Sequence, residues 1–151
     1  MTKLSSIQEF LKPKEMAVCG VSRNKKKFGR VVYDTLKERG FKLYAINPNM
    51  NEIDGEPCYA DVSQLPVNVN HLLVATPVSQ TEDVVAKVIS KGINNIWIQQ
   101  MAESKAAVDL AEKNGINLIK KECILKFAEP VTGVHKFHRF INKLFGTYPK
   151  D

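Results

Sequence analysis

The sequence predicts an α/β fold in which helices cover both faces of a parallel sheet. Two observations predict it: short apolar runs of strand length alternate with longer segments of helical period, and most of these segments end at Gly or Pro. At 151 residues, of which 44% are hydrophobic, the chain has the size of one domain with its own core. We therefore expect a single domain over residues 1–151.

The first elements are a helix, a strand and a second helix. A helix is predicted at about 5–12, where Ser6 and Glu9 have the spacing of a capping box. The apolar run MAVCGV then predicts the first strand, and RVVYDTLKERG predicts the helix that follows it. The helical period places four residues of this segment on one face: Val31, Val32, Thr35 and Leu36.

The later segments continue the alternation. FKLYAI, HLLVAT, NIWIQ and INLIKK predict strands, whereas SQTEDVVAKVISKG and SKAAVDLAEKNG predict helices, the former with a capping box at Ser79 and Glu82. Strands and helices in this order predict a Rossmann-like fold with a parallel five-stranded sheet.

A C-terminal helical extension is predicted at about 131–147. We expect it to pack on the outer helices of the domain, with a dimer interface as the alternative. Four apolar residues are predicted to point inward: Val134, Phe137, Ile141 and Leu144.

Composition narrows the classes of function. No run of about 18 apolar residues could span a bilayer, and the first residues lack the order of a secretory signal, so we expect a soluble cytoplasmic protein. Cys19, Cys58 and Cys123 are far apart and form no C-x-x-C pair, which indicates reduced thiols and not a disulfide framework or a zinc site. The net charge of +6 favours an anionic partner.

The loop VSRNKKKFG after the first strand indicates a phosphate site. Gly20 matches the first glycine of a dinucleotide motif, but Ser22 and Lys25 stand at the other two positions. The second strand ends in Asn47-Pro48, where a NAD site would need an acid for the ribose. A standard NAD site is therefore not expected, but the lysines and the following helix N terminus still suit a phosphate. The alternative interpretation is a solvated loop in which the glycines only turn the chain.

Several segments, read together, carry a family resemblance. AVCGVSRNKKKFGRVVYDTLKERGFKLYAINP, VATP, IWIQQ and KKECI lie in this order between about Glu15 and Leu125. The chain thereby resembles the small, stand-alone CoA-binding proteins related to the N-terminal domain of the succinyl-CoA synthetase alpha subunit. Relatives often have a lysine just after the Asn-Pro turn, whereas this chain has Asn49-Met50, so the lysine run is expected to make that phosphate contact.

The resemblance implies that coenzyme A or an acyl-CoA binds at the carboxyl ends of the strands. The residues that it implicates are Gly20, Val21, Ser22, Lys27, Phe28, Gly29, Arg30, Asn47, Pro48, Thr76, Pro77 and Gln99.

Catalytic residues are not apparent. The synthetase relatives react through a phosphorylated histidine in a second domain, which this sequence is too short to contain. None of His71, His135 and His138 is predicted at the carboxyl end of a strand, and no metal site or Ser/His/Asp set is expected. Cys19 is predicted to be a buried apolar residue, whereas for Cys123 burial and exchange with the CoA thiol both stay open.

We therefore expect a non-catalytic CoA-binding protein, either a monomer or a homodimer, with no membrane partner. An additional protein partner stays open. Two alternatives stay open as well: nucleotide binding of the NAD(P)-dependent oxidoreductase type, and nucleic-acid binding through the lysine loop and the basic terminal helix.

Overall fold

A computed structural model describes residues 2–151. Its helices are α1 (Leu4–Leu11), α2 (Phe28–Glu38), α3 (Val78–Lys91), α4 (Lys105–Lys113) and α5 (Gly133–Leu144). Its strands are β1 (Glu15–Cys19), β2 (Lys42–Ile46), β3 (Glu52–Ile53), β4 (Glu56–Tyr59), β5 (His71–Val74), β6 (Asn95–Gln99) and β7 (Asn117–Glu122). Short 3-10 turns at Val62–Gln64 and Ile124–Lys126 follow β4 and β7.

The strands form one sheet in the order β3-β4-β2-β1-β5-β6-β7. All five strands predicted from the sequence are present and pair in parallel, which confirms the α/β class. The predicted number of strands is wrong, because a hairpin of β3 and β4 adds an antiparallel pair at the edge beyond β2. The hairpin closes at Asp54-Gly55, where both residues have positive φ, 49° and 81°. An Asp-Gly pair favours this type of turn.

Two apolar cores lie on opposite faces of the sheet because successive strand residues point to opposite sides. On the face covered by α1 and α2, Met16 and Val18 pack with Trp97. On the face covered by α3 and α4, Ala17 packs with Ile96. Helices thus occupy both faces, and the loops at the carboxyl ends of the strands are left to form a binding site.

The two predicted capping boxes are wrong. Helix α1 begins one residue before Ser5, and the backbone N–H of Ser5 donates to the Asp151 carboxylate at 2.7 Å. Helix α3 begins directly after Pro77, which places Ser79 inside the first turn. In both cases the chain enters the helix earlier than the predicted cap.

In helix α2 the predicted apolar face is partly wrong. Val31 is 39% exposed, whereas Tyr33 is buried together with Val32 and Leu36. Tyr33, and not Val31, therefore belongs to the buried face of α2.

Helix α5 is shorter than the predicted extension and lies on the edge of the domain. None of its residues is buried, and Val134, Phe137 and Leu144 are exposed. The predicted inward packing of these residues is therefore wrong, because α1 and α2 already cover this face of the sheet. The alternative, a dimer interface, stays a prediction. Within residues 2–151, no helix is both long and apolar enough to cross a bilayer.

Candidate functional site

The candidate site lies where the order of the strands reverses direction. Strand β1 pairs with β2 on one side and with β5 on the other, so the loops after β1 and β5 diverge. In open α/β sheets a crevice at this position is the usual ligand site. Here the crevice is one groove of three adjoining chambers, which we number from β2 towards β7.

The first chamber has a volume of about 510 Å³. Its floor is formed by Gly20 to Ser22 after β1, Asn47 to Asn49 after β2, and Thr76-Pro77 after β5. Its side walls come from the turn after β4 and from α3, and they combine apolar with charged residues: Val62, Val84, Asp61, Asp83 and Lys87.

The second chamber, of about 400 Å³, shares Gly20, Ser22, Thr76 and Pro77 with the first. It runs past the start of α2 to the loop after β6. The additional lining residues are Lys27, Phe28, Gly29, Ala75, Gln99, Gln100, Met101 and Ala102.

The third chamber, of about 320 Å³, shares Phe28 and the loop Gln99–Met101 with the second. Its far wall is made by Cys123 and Lys126 after β7 and by His135 and His138 of α5. From β2 to β7 the groove crosses four inter-strand spacings, or roughly 19 Å at about 4.8 Å per spacing. The three chambers therefore suit an extended ligand.

Two glycines bring β1, α2 and β5 together under the groove. Gly20 has a φ of 100°, and a Cβ atom there would lie 2.6 Å from the Ala75 carbonyl oxygen. A Cβ atom on Gly29 would lie 2.1 Å from the Gly20 carbonyl oxygen. Gly29 thus permits the close helix–strand contact that the third glycine of a dinucleotide motif makes, although the spacing differs.

Hydrogen bonds fix the two loops that form the floor of the first chamber. The Asn47 side chain donates to the Val21 carbonyl oxygen at 2.6 Å and accepts from the Asn49 N–H at 2.8 Å. In the lysine loop, Ser22 Oγ accepts from the Asn24 N–H at 3.1 Å. The loops after β1 and β2 are consequently held to each other before any ligand binds.

The start of α2 is the most favourable position for a phosphate. No acidic residue lies in its first turn, and no side chain caps it. The first backbone N–H groups of any helix lack intrahelical acceptors and carry the positive end of its dipole. Lys25, Lys26 and Lys27 are exposed and, among residues 2–151, form no ion pair, but only Lys27 lines the groove.

Arg30 is the one predicted site residue that the structure does not bring to the groove. Its guanidinium is buried and forms ion pairs with Asp34 at 2.8 Å and with Asp54 at 2.5 Å. It also donates to the Ser22 carbonyl oxygen at 3.5 Å, from behind the loop. All the other predicted residues line the first or the second chamber. Arg30 positions the loop and does not line the groove.

Buried polar side chains join the loops after β5, β6 and β7. The Thr76 and Thr81 hydroxyl oxygens are 3.2 Å apart, and Thr81 donates to the Ala102 carbonyl oxygen at 2.7 Å. Gln99 Oε1 accepts from the Ile124 N–H at 3.1 Å. These bonds make the floor of the second chamber continuous with that of the third.

The charged wall of the first chamber was not predicted from the sequence. Lys87 contacts Asp61 at 2.9 Å and Asp83 at 3.1 Å, and these hydrogen bonds raise the pKa of Lys87. The i,i+4 spacing of Asp83 and Lys87 is a signal that could have identified this pair. Asp61 has no such signal, because only the fold brings it to α3.

His135 and His138 were also not predicted as site residues, because neither directly follows a strand end, and α5 carries them to the third chamber. Within residues 2–151, no three His, Cys, Asp or Glu side chains are grouped so that they could hold a metal ion.

Comparison with known proteins identifies the family of the chain. The family model described as "CoA binding domain" matches residues 14–128. Acetate–CoA ligase (ADP-forming) I of Archaeoglobus fulgidus is 30% identical over 122 residues, which cover 74% of this chain and 18% of the ligase. The alpha subunit of acetate–CoA ligase (ADP-forming) II of Pyrococcus furiosus is 27% identical over 152 residues, covering 93% of this chain and 32% of the subunit. The chain thus spans less than two thirds of these relatives.

Solved structures of similar size share the fold. A conserved hypothetical protein from Pyrococcus furiosus superposes with a TM-score of 0.70 at 31% identity, covering 73% of this chain and 95% of that one. A hypothetical protein from Pyrococcus horikoshii OT3 superposes with a TM-score of 0.77 at 24% identity, covering 88% and 98% of the two chains.

Proposed function

The chain belongs to the CoA-binding domain family, and from this premise we propose that it binds coenzyme A or an acyl-CoA in the three-chamber groove without catalysing a reaction. One observation carries the proposal: the groove runs continuously past the start of α2. There the free N–H groups of the helix and Lys27 lie at the middle of the groove.

The nucleotide half of the ligand suits the first chamber. Val21, Ile46, Val62 and Val84 give this chamber apolar walls for a base, and its polar groups can orient a ribose. The pyrophosphate would then lie at Gly20 to Ser22 and at the start of α2, because a helix N terminus with nearby cations attracts phosphate.

The pantetheine half suits the second chamber. The second chamber is smaller than the first. Pro77 and Phe28 form apolar walls, and Gln99 provides a polar side chain at its floor. An extended arm with two amide groups needs this combination of apolar surface and a few hydrogen-bonding groups.

The ligase reaction is not assigned to this chain, which covers only a small part of the ligase relatives. It corresponds to 18% and 32% of the length of the two relatives described above. We propose that the chain retains the binding function of such a domain and does not perform the ligase reaction by itself.

Isothermal titration calorimetry with CoA tests the proposal. We expect binding, and we expect Lys27→Glu to weaken it by about ten- to a hundredfold, since a lost charge-assisted contact costs about 1.5–3 kcal/mol. Lys113→Glu is the matched control, because Lys113 lies at the end of α4, away from the lining of the groove, and should not change affinity.

Three results would contradict the proposal. The first is the absence of any heat of binding when millimolar CoA is added to the folded protein, and the second is retention of NADPH without binding of CoA. Conversion of acetyl-CoA, ADP and phosphate to acetate, CoA and ATP by the purified chain would contradict the non-catalytic part alone.

A further inference from the structure

The third chamber continues the groove beyond the second chamber, with which it shares Phe28 and the loop Gln99–Met101. It is lined mostly by apolar surface, including Phe28 and Met101, and it ends at the buried thiol of Cys123. If the nucleotide lies in the first chamber and the pantetheine arm in the second, the free end of that arm points into the third. This arm of CoA ends in a thiol, so two sulfur atoms would meet at this position.

Cys123 lies at the end of β7 with 7% of its surface exposed, and that surface faces the third chamber. Among residues 2–151 no hydrogen bond is made to its Sγ atom. The thiol is therefore available to a ligand that enters the chamber.

Positive charge surrounds this thiol. Lys126 lies on the same wall, and the buried Arg39 guanidinium, close enough to interact with Cys123, donates to the carbonyl oxygens of Leu125 at 2.9 Å and Ala128 at 2.7 Å. Burial lowers the pKa of His135, as do the charges of Arg39, His138 and Lys126, so its imidazole is neutral and can accept a proton.

The opposite end of the groove offers a comparison. Cys19 lines the first chamber and is also 7% exposed, but burial raises its pKa to about 12. Its thiol is consequently protonated at neutral pH and a poor nucleophile. Of the two cysteines that line the groove, only Cys123 lies at the end that the pantetheine arm would reach.

We propose that the protein accepts disulfides of CoA, and that Cys123 exchanges with them to form a mixed disulfide with CoA. This inference rests on the proposed function, because the groove must first hold the CoA moiety. His135 accepts the proton of the Cys123 thiol, and the resulting thiolate attacks the sulfur of the bound CoA half. The original S–S bond breaks, the new Cys123–CoA bond forms, and the departing thiolate takes up the proton. One disulfide is consumed and one is formed, so no separate oxidant is needed.

Intact-mass spectrometry after incubation with symmetric CoA disulfide tests the inference. We expect the mass of the protein to increase by that of one CoA less two hydrogen atoms. Dithiothreitol should reverse this increase. Peptide mapping of the adduct formed by the chain without substitutions should locate the modification on Cys123. This measurement requires no variant. Glutathione disulfide lacks the nucleotide, so the groove cannot position it. We expect it to react at least about tenfold more slowly than CoA disulfide.

Variants make the test specific. Cys123→Ser should abolish the adduct, whereas Cys19→Ser should still form it. His135→Gln should slow adduct formation severalfold, measured at a saturating concentration of CoA disulfide.

The two proposals fail in distinguishable ways. Absence of CoA binding would reject the proposed function and this inference together. Normal CoA binding with no adduct, or with the adduct on Cys19, would reject this inference alone.

Discussion

Gly29 shows how one residue sets the geometry of the groove. Its hydrogen atom occupies the space in which any Cβ atom would meet the Gly20 carbonyl oxygen, so the start of α2 approaches the end of β1 closely. Arg30, the next residue, anchors the same turn to Asp34 and Asp54. Two adjacent residues thus place the helix N terminus and the loop that it faces, Gly29 through close packing and Arg30 through ion pairs within the protein.

The first prediction at this scale concerns Gly29→Ala. Because the added methyl group would lie 2.1 Å from a backbone oxygen, the helix must shift, which should lower the free energy of unfolding by about 1–3 kcal/mol. Urea denaturation measures the change, and CoA affinity should fall with it. Val31→Ala is the control, since Val31 is exposed on the same helix and its truncation should cost about 0.5 kcal/mol or less. Equal stability of Gly29→Ala and the unmodified chain would show that the close contact is not needed.

Helix α5 shows at the scale of elements that an amphipathic segment need not join the core. It contacts the domain through the 3-10 turn at Ile124–Lys126 and through an ion pair between Arg139 and Glu129. Glu129 also accepts from the Val131 N–H at 2.9 Å, just before the helix begins. The attachment of the third chamber's outer wall therefore depends on a few polar contacts.

A pH dependence follows from Glu129. Its hydrogen bond with Arg139, and secondarily that with the Val131 N–H, lower the pKa of the carboxyl below its ordinary value of 4.5. A carboxyl whose pKa is lower in the folded state stabilises that state above its ordinary pKa, and this stabilisation disappears as the pH falls through the lowered value. We expect the melting temperature to fall less between pH 6 and pH 3 in Glu129→Gln than in the unmodified chain.

Glu38→Gln serves as the control for that experiment, because Glu38 is exposed and, among residues 2–151, forms no ion pair. It should keep the pH dependence of the unmodified chain. If the melting temperature of Glu129→Gln fell with pH as much as that of the unmodified chain, Glu129 would not hold α5 to the domain.

At the scale of the whole molecule, the segment after α5 returns to the first helix. Tyr148 packs against Phe127 with ring centroids 5.3 Å apart, and Pro149 is buried. Asp151 then accepts the hydrogen bond from Ser5 at the start of α1. Residues far apart in the sequence are joined here, and α1 in turn covers the core around Trp97.

Shortening the chain to end at Gly146 should therefore destabilise the whole domain. Loss of the half-buried Tyr148 ring and of Pro149 should cost about 1–2 kcal/mol, which corresponds to a fall of about 2–8 °C in melting temperature. Differential scanning calorimetry measures the change. Lys150→Ala is the control, because the structure uses the backbone of this exposed residue and not its side chain. An unchanged melting temperature in the shortened chain would contradict the role assigned to this segment.

The sequence by itself determined the α/β class, five of the strands and most of the groove. These features follow from local patterns: apolar runs of strand length, breaks at Gly and Pro, and the rule that ligands bind at the carboxyl ends of parallel strands. Asn47, Thr76 and Gln99 could be predicted as site residues because each stands at or just after a strand end, although none has a distinctive chemistry alone.

Only the tertiary structure decided which side chains reach the groove from other directions. Arg30 stands in a basic loop, but two acids brought close by α2 and the β3–β4 hairpin bind its charge. His135 lies in a terminal segment, but α5 carries it to the third chamber beside Cys123. A local pattern specifies the conformation of a segment and which of its faces is apolar. It does not specify the partner of a charge or the surface that a helix meets, because those depend on contacts between residues distant in the chain.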